Sequence, residues 1–202
     1  MSTTPSSLRP VVLIVLVGLA TGLATLLAQG VLDAEWNRLA NSGAVWLLVG
    51  FFVGSVMSSV AWAAGAGIGT LLGAIAGYYL SAVLIAQAGV SMANVLIWSG
   101  VAIVGGPVYG IAGRWWRDVL PVRRSIAIGL AGGIVSGEGA STLIRIPDLA
   151  RVGWIELGVG VVVVLLLGRS WRDRAGGLIV LPVVIALVVV AYQVLDWLLA
   201  VI

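Results

Sequence analysis

Seven stretches of this chain are apolar over close to the length that a helix needs to cross a bilayer core, about 20 residues. They are placed at 11–29, 43–63, 65–86, 92–113, 124–145, 152–168 and 177–201. Hydrocarbon offers a peptide group no hydrogen-bond partner, so each run must satisfy its backbone internally and folds as a helix. The expected fold class is all-α, a polytopic transmembrane helix bundle. Residues 1–10 read as a cytoplasmic tail and 11–202 as a single transmembrane helical domain. The first run follows Arg9 and has some likeness to a signal peptide, but further spans follow it, which favours an uncleaved anchor.

Charged segments mark most of the turns: DAEWNR (33–38), RWWRDVLPVRR (114–124) and RSWRDRAGG (169–177). The link between the second and third runs, WAAGAG, carries no charge; without a turn there the count falls to six. Composition leaves no room for a soluble reading. Hydrophobic residues make up 61% of the chain and charged residues 9%, against roughly a quarter charged in soluble domains. The chain has no cysteine and no histidine, and every basic residue is arginine. Thiolate and imidazole chemistry, disulfides and Schiff-base lysines are therefore excluded. No catalytic residue, metal ligand or cofactor is expected, and the chain is not read as an enzyme. The basic pI reflects loops at the membrane surface, with no nucleic-acid partner implied.

Arginine placement orients the bundle. With seven spans, Arg9, Arg114, Arg117, Arg123, Arg124, Arg169, Arg172 and Arg174 fall on one face, and Arg38, Arg145 and Arg151 on the other. The positive-inside bias then puts the N-terminus in the cytoplasm and the C-terminus outside. Trp62, Trp115, Trp116 and Trp171 near the inner boundary, with Trp36, Trp46, Trp154 and Trp197 near the outer, form the aromatic belts expected of such a layout. Only Trp98 falls deeper.

Small residues at four-residue spacing indicate how the spans pack. The third span carries Gly65, Gly69, Gly73 and Gly77 on one face, the fifth Gly129, Gly133 and Gly137, and the second Gly50, Gly54 and Ser58. Such strips let helix backbones approach closely in lipid. They serve bundle packing or a homo-oligomer seam. The last span is smooth and rich in Val and Leu, so much of it, including Val188 and Val189, is expected to face lipid.

The segment GGIVSGEGASTL (132–143) holds the chain's most demanding residue. Glu138 lies seven residues before Arg145, about 10 Å from the helix end at 1.5 Å per residue. A charge at the bilayer centre costs at least about 3 kcal/mol, so Glu138 must face the bundle or be neutralised. Gly137 and Gly139 make a local break easy, and Ser136 and Ser141 add hydroxyls. At similar depth lie Tyr78, Tyr79, Trp98 and Tyr192. A carboxylate among aromatic faces suits an organic cation. The alternative is a deep fringe of the aromatic belt around a structural hydrogen bonder. The outer face also carries Asp33, Glu35, Asp148, Glu156 and Asp196, an excess that would concentrate cations. Near that interface Arg145 or Arg151 is expected to pair with Glu156 and Asp196, and no convincing second acid is expected beside Glu138.

EWNRLANSGAVWLLVGFFVGS (35–55) and GYY (77–79) resemble a family of small actinobacterial multipass proteins of unknown function, over most of the chain. That resemblance implies no activity. Ala20, Ala24 and Ala28, together with GGPVYGIAGRWWRD (105–118), also resemble the substrate-binding S components of energy-coupling-factor vitamin transporters. It implies an outer-half ligand site and an alanine strip that meets a membrane partner subunit; those proteins have six helices, one fewer than the seven runs here. Three function classes stand. The first is binding or transport of a small organic solute, a cationic one included, through an outer-half cavity around Glu138. The second is a structural or accessory membrane protein without activity of its own. The third, an intramembrane enzyme, ranks last for want of His, Cys or a metal constellation. The partners implied are the lipid bilayer, the solute, and a membrane subunit or second copy.

Overall fold

A computed structural model describes residues 8–201; of the tail expected at 1–10, positions 1–7 lie outside the described residues. The described chain is helical throughout: α1 (Leu8–Val31), α2 (Ala34–Ala40), α3 (Gly43–Ser55), α4 (Val60–Leu84), α5 (Met92–Trp116), α6 (Pro121–Arg145), α7 (Ala150–Leu167) and α8 (Trp171–Val201). A 3-10 turn, Pro147–Leu149, joins α6 to α7. Six helices, all but α2 and α3, are long and apolar enough to cross a membrane. The protein is an integral, multipass membrane protein.

The uncharged WAAGAG stretch is not a turn; it lies inside α4. The break falls earlier, at residues 56–59, where hydroxyls compete for the backbone. Ser55 donates to the Phe52 carbonyl at 2.7 Å, and Ser59 caps α4 by accepting the Trp62 N–H at 3.2 Å. Ser58 therefore stands outside the helices, and the strip expected with Gly50 and Gly54 stops at Gly54. The 13 residues of α3 rise only about 20 Å, short of the roughly 30 Å core.

The helices gather into two compact units. One comprises the chain up to Leu32 and Trp46–Arg114; the other comprises Asp33–Val45 and the chain from Trp115 on. In the first, α1 and α4 pack through glycine. A Cβ at Gly69 would meet Ile14 Cγ2 at 2.7 Å, and one at Gly73 would meet the Gly18 Cα at 3.2 Å, while Gly77 faces Leu19. Both numberings rise together, so α1 and α4 run parallel. A chain that enters two neighbouring helices in the same direction must return between them, and α3 is that return. With no turn at WAAGAG, the count of long spans is six among the described residues. Gly65, the first of the strip, faces open space. On another face of α4, Gly67 meets Gly106 of α5 backbone to backbone. Along α1, Ala20 and Ala24 are exposed while Gly18 and Gly22 are buried.

In the second unit α6 is the central helix. Its Gly129, Gly133 and Gly137 receive Val180, Val184 and Val188 of α8 in turn, at 2.6, 2.5 and 2.6 Å from an added Cβ. Val188 is therefore buried, contrary to the lipid-facing position expected for it, because valine ridges fill the groove that glycines leave. A second α6 edge meets α7: Gly139 lies against the Gly153 carbonyl, and Gly132 against Gly160. At the start of α8, Ser170 and Asp173 form a reciprocal capping box, each accepting the other's backbone N–H at 3.2 Å.

Candidate functional site

Gly137 and Gly139 do not break the helix around Glu138, since α6 runs unbroken through both. Their missing side chains instead let α8 and α7 close on either side of it. Glu138 is 3% exposed. Its Oε2 accepts the Ser42 hydroxyl at 2.5 Å and the Ala44 N–H at 2.9 Å. Its Oε1 accepts the Tyr192 hydroxyl at 2.9 Å.

Local sequence makes this cradle. Ser42 precedes α3 and its Oγ accepts the Val45 N–H at 3.2 Å, an N-cap contact. The first N–H groups of a helix have no partner in their own helix and lie at its positive end. Glu138 supplies a carboxylate from another helix to one of them. A buried acid and an unsatisfied helix start meet each other's need.

One turn along α6, Thr142 gathers three further groups. Its Oγ1 lies 2.9 Å from the Glu138 carbonyl and 3.2 Å from Glu156 Oε2, and it accepts the Arg38 Nε–H at 3.0 Å. Glu156, on α7, is 4% exposed, buried within this unit. A second acid does stand beside Glu138. Arg38, from α2, makes no ion pair within 4 Å among the described residues, and its Nη2 is buried without a hydrogen-bond partner. Two carboxylates and one guanidinium thus share one buried cluster. No group of three or more His, Cys, Asp or Glu that could hold a metal ion occurs among the described residues.

The cluster is closed by α8. Arg145 pairs with Asp196, and its guanidinium lies 5.1 Å from the centroid of the Tyr192 ring. Arg151 stacks over Trp36 at 5.8 Å. Of the two arginines expected near the outer acids, Arg145 thus takes Asp196, whereas Arg151 takes an indole and Glu156 lies beside Thr142 and Arg38.

The residues singled out from sequence divide between the two units. Tyr192 joins Glu138. Ser136 is spent on packing, donating to the Leu157 carbonyl at 2.8 Å, and Ser141 lies 3.5 Å from Arg145 Nη1. Trp98, Tyr78 and Tyr79 belong to the first unit, where Trp98 and Tyr78 meet Trp46. Trp46 lies 6.4 Å from both Tyr78 and Trp98, and Tyr79 meets Tyr78 edge-on at 5.2 Å. Hydrogen bonds tie these rings to α1: Trp46 Nε1–H donates to Thr25 at 2.9 Å, and the Tyr78 hydroxyl to Gln29 at 3.0 Å.

The site roles of Ser42, Arg38 and Thr142 were missed from sequence, and Glu156 was expected beside Arg145 or Arg151 rather than near Glu138. Glu156 had a usable signal. It lies six residues after the start of α7, and Glu138 seven before the end of α6, so an antiparallel hairpin sets them level.

No curated protein and no solved structure matches the chain. Residues 1–198 match a family of unknown function, DUF6518. The chain belongs to that family.

Proposed function

We propose that this membrane protein binds a small organic solute at the Arg38–Glu138–Glu156 cluster, and transports it or presents it to a partner subunit. The observation that carries this reading is the buried Arg38 Nη2 with no acceptor. A guanidinium nitrogen out of water costs free energy unless something accepts from it, and a solute oxygen would do so. Ionisable groups at membrane depth are rare and mark substrate or proton pathways. Both Glu138 oxygens already accept from the protein, so the groups left to meet a solute are Arg38 and Glu156. A solute bearing both an acceptor and a positive charge fits that pair better than a simple cation. The aromatic group around Trp46 is a separate surface for an organic cation. The chain is proposed to act without catalysis, with its N-terminus in the cytoplasm on the arginine-rich side and its C-terminus outside. The actinobacterial origin and the likeness to coupled S components belong with this proposal.

A second reading has its own support. Three donors on Glu138 make it a sufficient structural clamp, as an accessory protein would need. Thermal unfolding of purified protein with amino acids and quaternary-ammonium betaines separates the two. Under the solute reading, one of these raises the midpoint, and Arg38→Gln removes that rise while leaving the unliganded midpoint equal or higher, as expected when a functional site is relieved of strain. A destabilised Arg38→Gln protein, with no solute effect in the parent, supports the clamp.

A further inference from the structure

The second unit has one end where the α5–α6 link, the α7 terminus and the start of α8 meet, and arginine dominates it. Three of these cations are committed. Arg123 pairs with Asp118 at 2.8 Å. Asp118 is held ionised below the usual carboxylate range by the Leu120 N–H and then by Arg123. Arg124 grips Asp173 through Nε and Nη2 at 3.1–3.2 Å. Arg174 Nε–H is spent on the Gly168 carbonyl at 3.2 Å.

Arg117, Arg169 and Arg172 remain, all exposed and without a carboxylate partner among the described residues. Two of them share one aromatic neighbour. The Arg117 and Arg169 guanidiniums lie 5.9 and 5.6 Å from the centroid of the same Trp116 ring. That ring is anchored: Trp116 Nε1–H donates to the Leu167 carbonyl at 3.0 Å, the last residue of α7. An indole tied to a helix end thus holds two unneutralised cations at the terminus of membrane-spanning helices.

The geometry points to a binding site for the headgroup of an anionic phospholipid, its phosphodiester held between Arg117 and Arg169 over the Trp116 plate. Planar guanidiniums bind phosphate oxygens in pairs. Tryptophan at a span end sits at headgroup level, where the surrounding bilayer supplies this ligand at high local concentration. The site is independent of the solute cluster.

Native mass spectrometry of the full chain in detergent, titrated with phosphatidylglycerol or phosphatidylcholine of equal acyl length, tests it. Phosphatidylglycerol should bind in preference. Arg117→Gln and Arg169→Gln should each weaken it about fivefold. Arg172→Gln, equally exposed but off the ring, should weaken it less than twofold. An equal loss from Arg172→Gln would overturn the site in favour of diffuse attraction. Equal affinity for phosphatidylcholine, or displacement by low-millimolar inorganic phosphate, would overturn the lipid assignment.

Discussion

Removing the Glu138 carboxylate should destabilise this protein through three groups at once. Interhelical hydrogen bonds in membranes contribute about 0.6 kcal/mol on average. A buried donor stranded by the loss of its acceptor costs about 1 kcal/mol or more. Glu138 accepts three, from Ser42, Ala44 and Tyr192, so Glu138→Leu should cost about 3–4 kcal/mol. Glu138→Gln should cost less, about 1–2 kcal/mol. Its carbonyl can keep the Ser42 and Ala44 donors, while its amide donates to the Tyr192 oxygen. Tyr192→Phe removes one bond and should cost about 1 kcal/mol. Ser42→Ala should cost about 2 kcal/mol, because it also removes the cap on Val45. Reversible unfolding in mixed micelles would measure these values. A double-mutant cycle of Glu138→Gln with Tyr192→Phe should show coupling of about 1 kcal/mol, the contact being direct. Stability of Glu138→Leu within about 0.5 kcal/mol of the parent would refute the reasoning, since the three donors would then find other partners without cost.

Glycines should separate by what they face. Gly137→Leu, aimed at Val188, and Gly73→Leu, aimed at the Gly18 backbone, should each lower the thermal midpoint sharply, whereas Gly65→Ala, open on all sides, should gain up to about 1 kcal/mol of helix propensity. On α8, Val188→Ala should cost about 1–2 kcal/mol and exposed Val190→Ala almost nothing; equal midpoints for the pair would show that α8 does not seat on α6. Single cysteines at Ser170 and Asn41, both exposed, should be labelled by an impermeant reagent from opposite sides of the membrane. Labelling of Ser170→Cys from outside intact cells would reverse the orientation. Ser42 is unsuitable as the outer probe, being buried against Glu138.

The membrane-spanning class of this fold was legible in sequence, because hydropathy and length are properties of each segment alone and lipid leaves the backbone no other choice. The same holds for the glycine spacing, which marks one helix face without naming its partner. What lay beyond sequence was azimuth and pairing. Val188 looked like a lipid-facing residue among valines, and only its position over Gly137 buries it. The end of α3 at Ser55 turned on a side-chain hydroxyl bonding back to Phe52, a local competition that hydropathy does not register. Glu138 was recognisable as a costly residue, and depth counting reached Tyr192. The Ser42–Ala44 cradle was not accessible, because it forms between segments 94–96 positions apart. Sequence by itself determined that a carboxylate in this membrane helix must find partners. Tertiary structure alone decided which ones: the donors come from a helix start and a tyrosine brought to Glu138 by helix packing, and distance along the chain carries no record of that approach.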